Sequence, residues 1–138
     1  MGSRIIPNKT WFIDIDGTIF NHKSNFDYDE SDKIHDQILE GVKEFWEKIP
    51  ADDYIILTTA RPGWWKAMTI YSLEKFGLRY DQLIFDIPSG TRVLVNDNKP
   101  PLDPDGLNPG RTEIPSAHAI CVHRNEGLNW DRMASHII

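Results

Sequence analysis

The stretch WFIDIDGTI, residues 11–19, decides how the chain folds. An apolar run breaks into two carboxylates, Asp14 and Asp16, followed by Gly17 and Thr18. Consecutive apolar residues before Asp14 predict a strand buried on both faces. Gly17 marks the point where the chain leaves that strand, through a backbone conformation that most residues avoid. The two aspartates therefore stand at the carboxyl end of a central strand, where open α/β sheets bind their ligands. Carboxylates this close repel unless a proton or a cation lies between them. A hard ion such as Mg²⁺, held by a few carboxylates, water and a substrate phosphate, answers that repulsion. Asp-x-Asp-Gly also opens calcium loops, but these require a Glu at the twelfth position. Counted from Asp14, that position is Asn25, so the calcium reading fails.

Outward from this stretch, residues 20–32 are polar and aromatic without a clear period and predict an irregular flap beside the site. His22 and Tyr28 lie in it as solvated residues within reach of a substrate. Ile34, Ile38, Val42, Phe45, Trp46 and Ile49 recur at helical spacing, with Ser31 or Asp32 as cap and Pro50 just beyond the end. Residues 54–58 (YIILT) predict a second strand, ending in Thr58, Thr59, Ala60, Arg61 and Pro62. Pro62 suits a first helical turn. A strand running through small hydroxyl residues into a helix start makes an anion site, with the Thr59 hydroxyl and the Ala60 N–H as donors. Arg61 either adds charge-assisted bonds to the anion or forms a surface ion pair. The helix expected over residues 63–76 contains Trp64 and Trp65, which cannot both face one core. One of them lines the mouth of the site or a subunit contact, and Gly77 stops the helix.

Leu83, Ile84 and Phe85 centre a third strand, and residues 93–95 form a fourth that ends at Asn96 and Asp97. The link at residues 87–92 is too short to contain a helix. One sheet face is then thinly covered, which favours a homo-oligomer. Prolines and glycines punctuate residues 98–115 as a surface loop. Residues 117–122 give a fifth strand and residues 128–138 a closing helix with Trp130 and Met133 inward. His118, Cys121 and His123 suggest zinc, but alternation puts His118 on the face opposite the other two.

Three stretches, FIDIDGTIF, YIILTTARP and VLVNDNKP, together resemble the motifs of the haloacid dehalogenase-like hydrolases. The resemblance implies an α/β, three-layer Rossmann-like fold with a central, mostly parallel five-stranded sheet. It also implies a single domain over residues 1–138 without a cap. Asp14 would be the nucleophile that forms an aspartyl-phosphate, and Asp16 the general acid and base. Asp14, Asp16 and Asp97 would hold Mg²⁺. Thr18, Thr59, Ala60 and Arg61 would attend the phosphate. The family's Lys is replaced by Ile87 at the corresponding position, leaving Lys99, slightly preferred, or Arg92 as the balancing cation. The short capless members most similar to this chain serve capsule and surface-saccharide biosynthesis, which implies a sugar phosphate as substrate.

Composition bounds these expectations. With 138 residues and 40% hydrophobic content the chain suffices for one ordinary core. A net charge of −6 argues against nucleic acid or an anionic membrane as partner. No apolar run reaches membrane-spanning length, and a lone cysteine suits the cytoplasm. Two alternatives remain beside the small-molecule phosphatase: a nucleic-acid 3′-end phosphatase, and a degenerate phosphate-binding scaffold that has lost the Lys.

Overall fold

The structure, a computed structural model, describes residues 8–22, 36–99 and 113–137. It is a mixed α/β arrangement around a small parallel sheet of three strands: β1 (Thr10–Asp14), β2 (Tyr54–Thr58) and β3 (Gln82–Ile84), in the order β1-β2-β3. Helix α1 (Val42–Lys48) connects β1 to β2, and α2 (Lys66–Lys75) connects β2 to β3. A short α3 (Trp130–Met133) follows near the end, with Asn129 accepting the Arg132 N–H as its cap. Among the described residues no helix is long and apolar enough to cross a membrane.

Strand register carries the functional consequence. Asp14 pairs with Thr58, and Thr58 pairs with Ile84, so all three strands finish at one edge. The core lies under one face of the sheet. Trp11 and Ile13 of β1 are buried with Ile55 and Leu57 of β2 against Val42, Phe45 and Trp46 of α1. Trp11, Phe45 and Trp130 form an aromatic cluster with centroids 5.0–5.7 Å apart, which brings α3 onto the core.

β1 alternates rather than being buried on both faces. Phe12 is 55% exposed while its neighbours Trp11 and Ile13 are covered. The expected helix over residues 34–49 is also shorter, beginning at Val42. Gly41 has φ +77°, and a Cβ there would collide with the Leu128 carbonyl, so the chain turns at Gly41 instead of continuing a helix through it. Before the turn, Ile38 bridges Phe20 and the Leu39 N–H donates to the Ile19 carbonyl at 3.0 Å. The caps proposed at Ser31 and Asp32, and Tyr28 in the flap, lie outside the described residues. Residues 63–65 form a tight 3₁₀ turn before α2 starts at Lys66. Trp64 faces outward there and Trp65 inward, dividing the pair as expected.

Residues 93–95 and 117–122 are not strands in the described structure. Val93 and Val95 stand 82% and 89% exposed. The preceding link is curled, because the Arg92 guanidinium donates back to the Pro88 and Gly90 carbonyls at 2.9 and 2.6 Å. Lys99 and Ile114 then pair with each other through two 2.8 Å backbone bonds.

At the opposite end of the sheet, buried Asp53 accepts from the Trp11 indole at 2.9 Å and the Lys9 N–H at 3.0 Å, and pairs with the Lys9 ammonium at 3.0 Å. Burial pushes this carboxyl up, but the Trp11 and Lys9 donors outweigh it and hold it below the usual carboxylate range. Asp53→Asn should lower unfolding free energy at neutral pH by about 1–3 kcal/mol, the worth of a hydrogen bond to a charged group. A depressed folded-state value means this stabilisation is complete above the unfolded value of about 3.9 and is lost as pH falls through the folded one. Urea unfolding of both proteins should therefore show the gap closing on acidification. A gap unchanged between neutral pH and about pH 3 contradicts that assignment.

Candidate active site

After β1 the chain folds back over Ile15. Its carbonyl accepts from the N–H groups of Thr18, Ile19 and Phe20 at 3.2, 3.0 and 3.1 Å, while the Gly17 N–H donates to the Phe20 carbonyl at 2.7 Å. Gly17 has φ +85°, and the Arg124 side chain lies 3.1 Å from where a Cβ would stand, so both conformation and space select glycine. Ile15, Ile19 and Phe20 are fully buried, anchoring the turn. Asp14 and Asp16 flank Ile15 and remain at the surface edge of the core. A second clasp holds the turn from outside: the Asn125 N–H donates to the Gly17 carbonyl at 2.9 Å, and the Asn125 side chain accepts the His22 N–H at 2.7 Å.

The two aspartates have different surroundings. Asp14 is the accessible one, with its side chain 44% exposed and the Arg92 guanidinium 3.8 Å away. Burial of its inner portion pushes this carboxyl above the usual range. Arg92, the Ile15 N–H and His22 pull it down, while Asp16 pushes it up. Asp16 is clamped instead. Arg61 donates to both its oxygens, Nε to Oδ2 at 3.0 Å and Nη2 to Oδ1 at 2.9 Å, and Thr59 Oγ1 donates to Oδ2 at 3.3 Å.

Arg61 is not presented to a ligand. It is 3% exposed, and its other face binds Asp36 through Nη2 at 2.7 Å and Nη1 at 3.2 Å, with Nη1 also donating to Thr69 at 2.9 Å. Burial lowers the proton affinity of the guanidinium, but hydrogen bonds and charge from Asp16 and Asp36 raise it further above its ordinary value. Thr59 is likewise fully buried. Its hydroxyl accepts the Arg61 N–H at 3.0 Å, and its own N–H donates to the Ile84 carbonyl. Ala60 is exposed, and Thr18 is half-buried in the first turn.

Asp14, Asp16, Thr59 and Arg61 thus come together, with Arg92 at ion-pair distance from Asp14. Asp97 does not join them by any described contact. Its side chain is 75% exposed and binds the Lys99 ammonium at 2.8 Å, so Lys99 is engaged there as well. Lys99 holds the Asp97 carboxyl below the usual range. Among the described residues no group of three His, Cys, Asp or Glu side chains is placed to hold a metal. The Asp14 carboxylate is the accessible oxygen donor at this edge, and Mg²⁺ ordinarily takes one or two carboxylates and completes its shell with water and phosphate.

Asp36 escaped the sequence reading because it fell within the expected helix over residues 34–49, among its polar positions. The legible signal lay in α2, where Thr69 and Ser72 recur on the same inward stripe as Trp65 and Leu73. Hydroxyls on a buried helical face announce a buried polar partner. Comparisons of the chain with protein-family models, curated proteins and solved structures return no match. Any functional reading therefore stands on these residues.

Asp14 supplies a direct check on metal binding. Followed by the carboxyl carbon resonance in metal-free protein, it should titrate above about 3.9, the ordinary aspartate value. Arg92→Gln, which removes a cation that pulls it down, should raise it further. Added Mg²⁺ should lower it, because a bound cation favours the ionised form. A titration insensitive to Mg²⁺ contradicts an ion at Asp14.

Proposed function

We propose that the chain is a Mg²⁺-dependent phosphomonoesterase of the haloacid dehalogenase-like kind, acting through an aspartyl-phosphate on a small phosphorylated metabolite, a sugar phosphate first of all. One observation carries the reading: Asp14 is a half-exposed carboxylate at the sheet's carboxyl edge, beside Thr58 and within 3.8 Å of a cation. Its neighbour Asp16 is held by donors on both oxygens. An accessible carboxylate next to a restrained one fits a division into nucleophile and acid–base.

In this reading an Asp14 oxygen attacks phosphorus and the ester oxygen leaves with a proton from Asp16. Water activated by Asp16 then attacks the phosphoryl group on Asp14, and inorganic phosphate departs. Arg92 takes the place of the family's Lys, balancing the Asp14 and phosphate charges. Its guanidinium is nearer the nucleophile than Lys99, which is paired with Asp97. Mg²⁺, when bound, neutralises phosphate charge that would repel the nucleophile. The reading also carries a three-layer, Rossmann-like domain and a cytoplasmic setting. The net charge of −6 weighs against a nucleic-acid end as substrate.

A phosphate-binding scaffold is the second reading, favoured by the position of Asp97 on Lys99 and of Asp16 on Arg61. Hydrolysis of p-nitrophenyl phosphate with and without Mg²⁺ separates the two. The enzyme reading expects metal-dependent turnover that falls at least about 10³-fold in Asp14→Asn. Arg92→Gln should lose on the order of 10²-fold, as for removal of one electrostatic donor. No turnover in the wild type leaves the scaffold.

A further inference from the structure

We propose that Asp36 is a positioning residue for Asp16, acting through Arg61; this rests on the reading of Asp16 as the acid of a phosphomonoesterase. A guanidinium has five N–H donors in a rigid fork. In this protein all five directions are used inside the chain: Nε and one Nη2 bond on Asp16, the other Nη2 and one Nη1 bond on Asp36, and the second Nη1 bond on Thr69. The plane of the fork is therefore fixed by Asp36 and Thr69 on one side, and Asp16 docks on the other.

Asp36 is itself held. Its side chain is 5% exposed, and besides Arg61 it accepts the Ser72 hydroxyl on Oδ2 at 2.6 Å. Ser72 and Thr69 both belong to α2, which packs against the core through Leu73. A rigid helix thus orients Asp36 and Arg61, and through them the Asp16 carboxylate. Buried charge is weak evidence for stability, since apolar residues of similar volume often serve as well. A buried carboxylate that fixes, through a shared guanidinium, a second and partly exposed carboxylate next to Asp14 has a use that packing lacks.

The test compares two esters with different needs for the acid. The p-nitrophenolate leaving group departs with little protonation, whereas the alkoxide of glycerol phosphate must be protonated as it leaves. Asp36→Asn should slow kcat on glycerol phosphate about 100-fold, but on p-nitrophenyl phosphate less than about 5-fold, with KM for both esters within about two-fold. Ser72→Ala, which keeps every charge, should shift the ratio of the two rates in the same direction by a smaller factor, and Asp36→Glu should recover part of it. Thermal unfolding monitored in parallel identifies a variant that fails to fold, in which case Ser72→Ala decides. An unchanged ratio of rates in the folded variants overturns the role of Asp36 while leaving the phosphatase standing. A wild type that hydrolyses neither ester overturns both.

Discussion

One guanidinium fork, that of Arg61, ties the turn after β1 to the turn after β2 and to the segment before α1. It lies between Asp16 and Asp36 at 2.7–3.2 Å, almost wholly out of water. Taking such charges out of water is costly unless each is met by an opposite charge and by hydrogen bonds. Thr59, Thr69 and Ser72 complete the set, so the cost is offset only when these pieces arrive together. That requirement gives the carboxyl edge of a small sheet one defined arrangement. Phe20 and Trp65 also approach the guanidinium, with ring centroids 5.9 and 6.0 Å away.

The sheet divides its duties between its two ends. At the amino end Asp53 joins Lys9 and Trp11 to the start of β2, and this contact serves the fold. At the carboxyl end Asp14 keeps an accessible carboxylate that no buried donor saturates, and this position is suited to chemistry. Parallel register makes the division possible, because it brings the ends of β1 and β2 side by side without a hairpin. Asn125 adds a distant support, locking the first turn and His22 from the far end of the chain.

Much of the framework was legible from residues 11–19 and 54–62. Apolar runs ending in small or acidic residues identified β1 and β2, and their shared edge followed from parallel pairing. What was not legible depended on contacts between distant segments. Periodicity alone extended the first helix through Gly41, where the Leu128 carbonyl excludes a side chain. For Arg61 an anion contact and a surface ion pair stayed equally open, because nothing local reveals Asp36, twenty-five residues earlier in the chain, as its buried partner. Residues 93–95 have strand-like composition, but the backward reach of Arg92 to Pro88 and Gly90 curls the link before them.

A phosphomonoesterase built on this sheet edge requires Asp14 itself to accept the phosphoryl group. Protein mixed with p-nitrophenyl phosphate and Mg²⁺, quenched in acid within a turnover and digested, can be read by mass spectrometry for the peptide that contains residue 14. One added phosphoryl group is expected on Asp14, removed by hydroxylamine as an acyl phosphate is, and absent from Asp14→Asn. Turnover accompanied by no phosphoryl group on Asp14, or by one carried on another residue, contradicts that requirement.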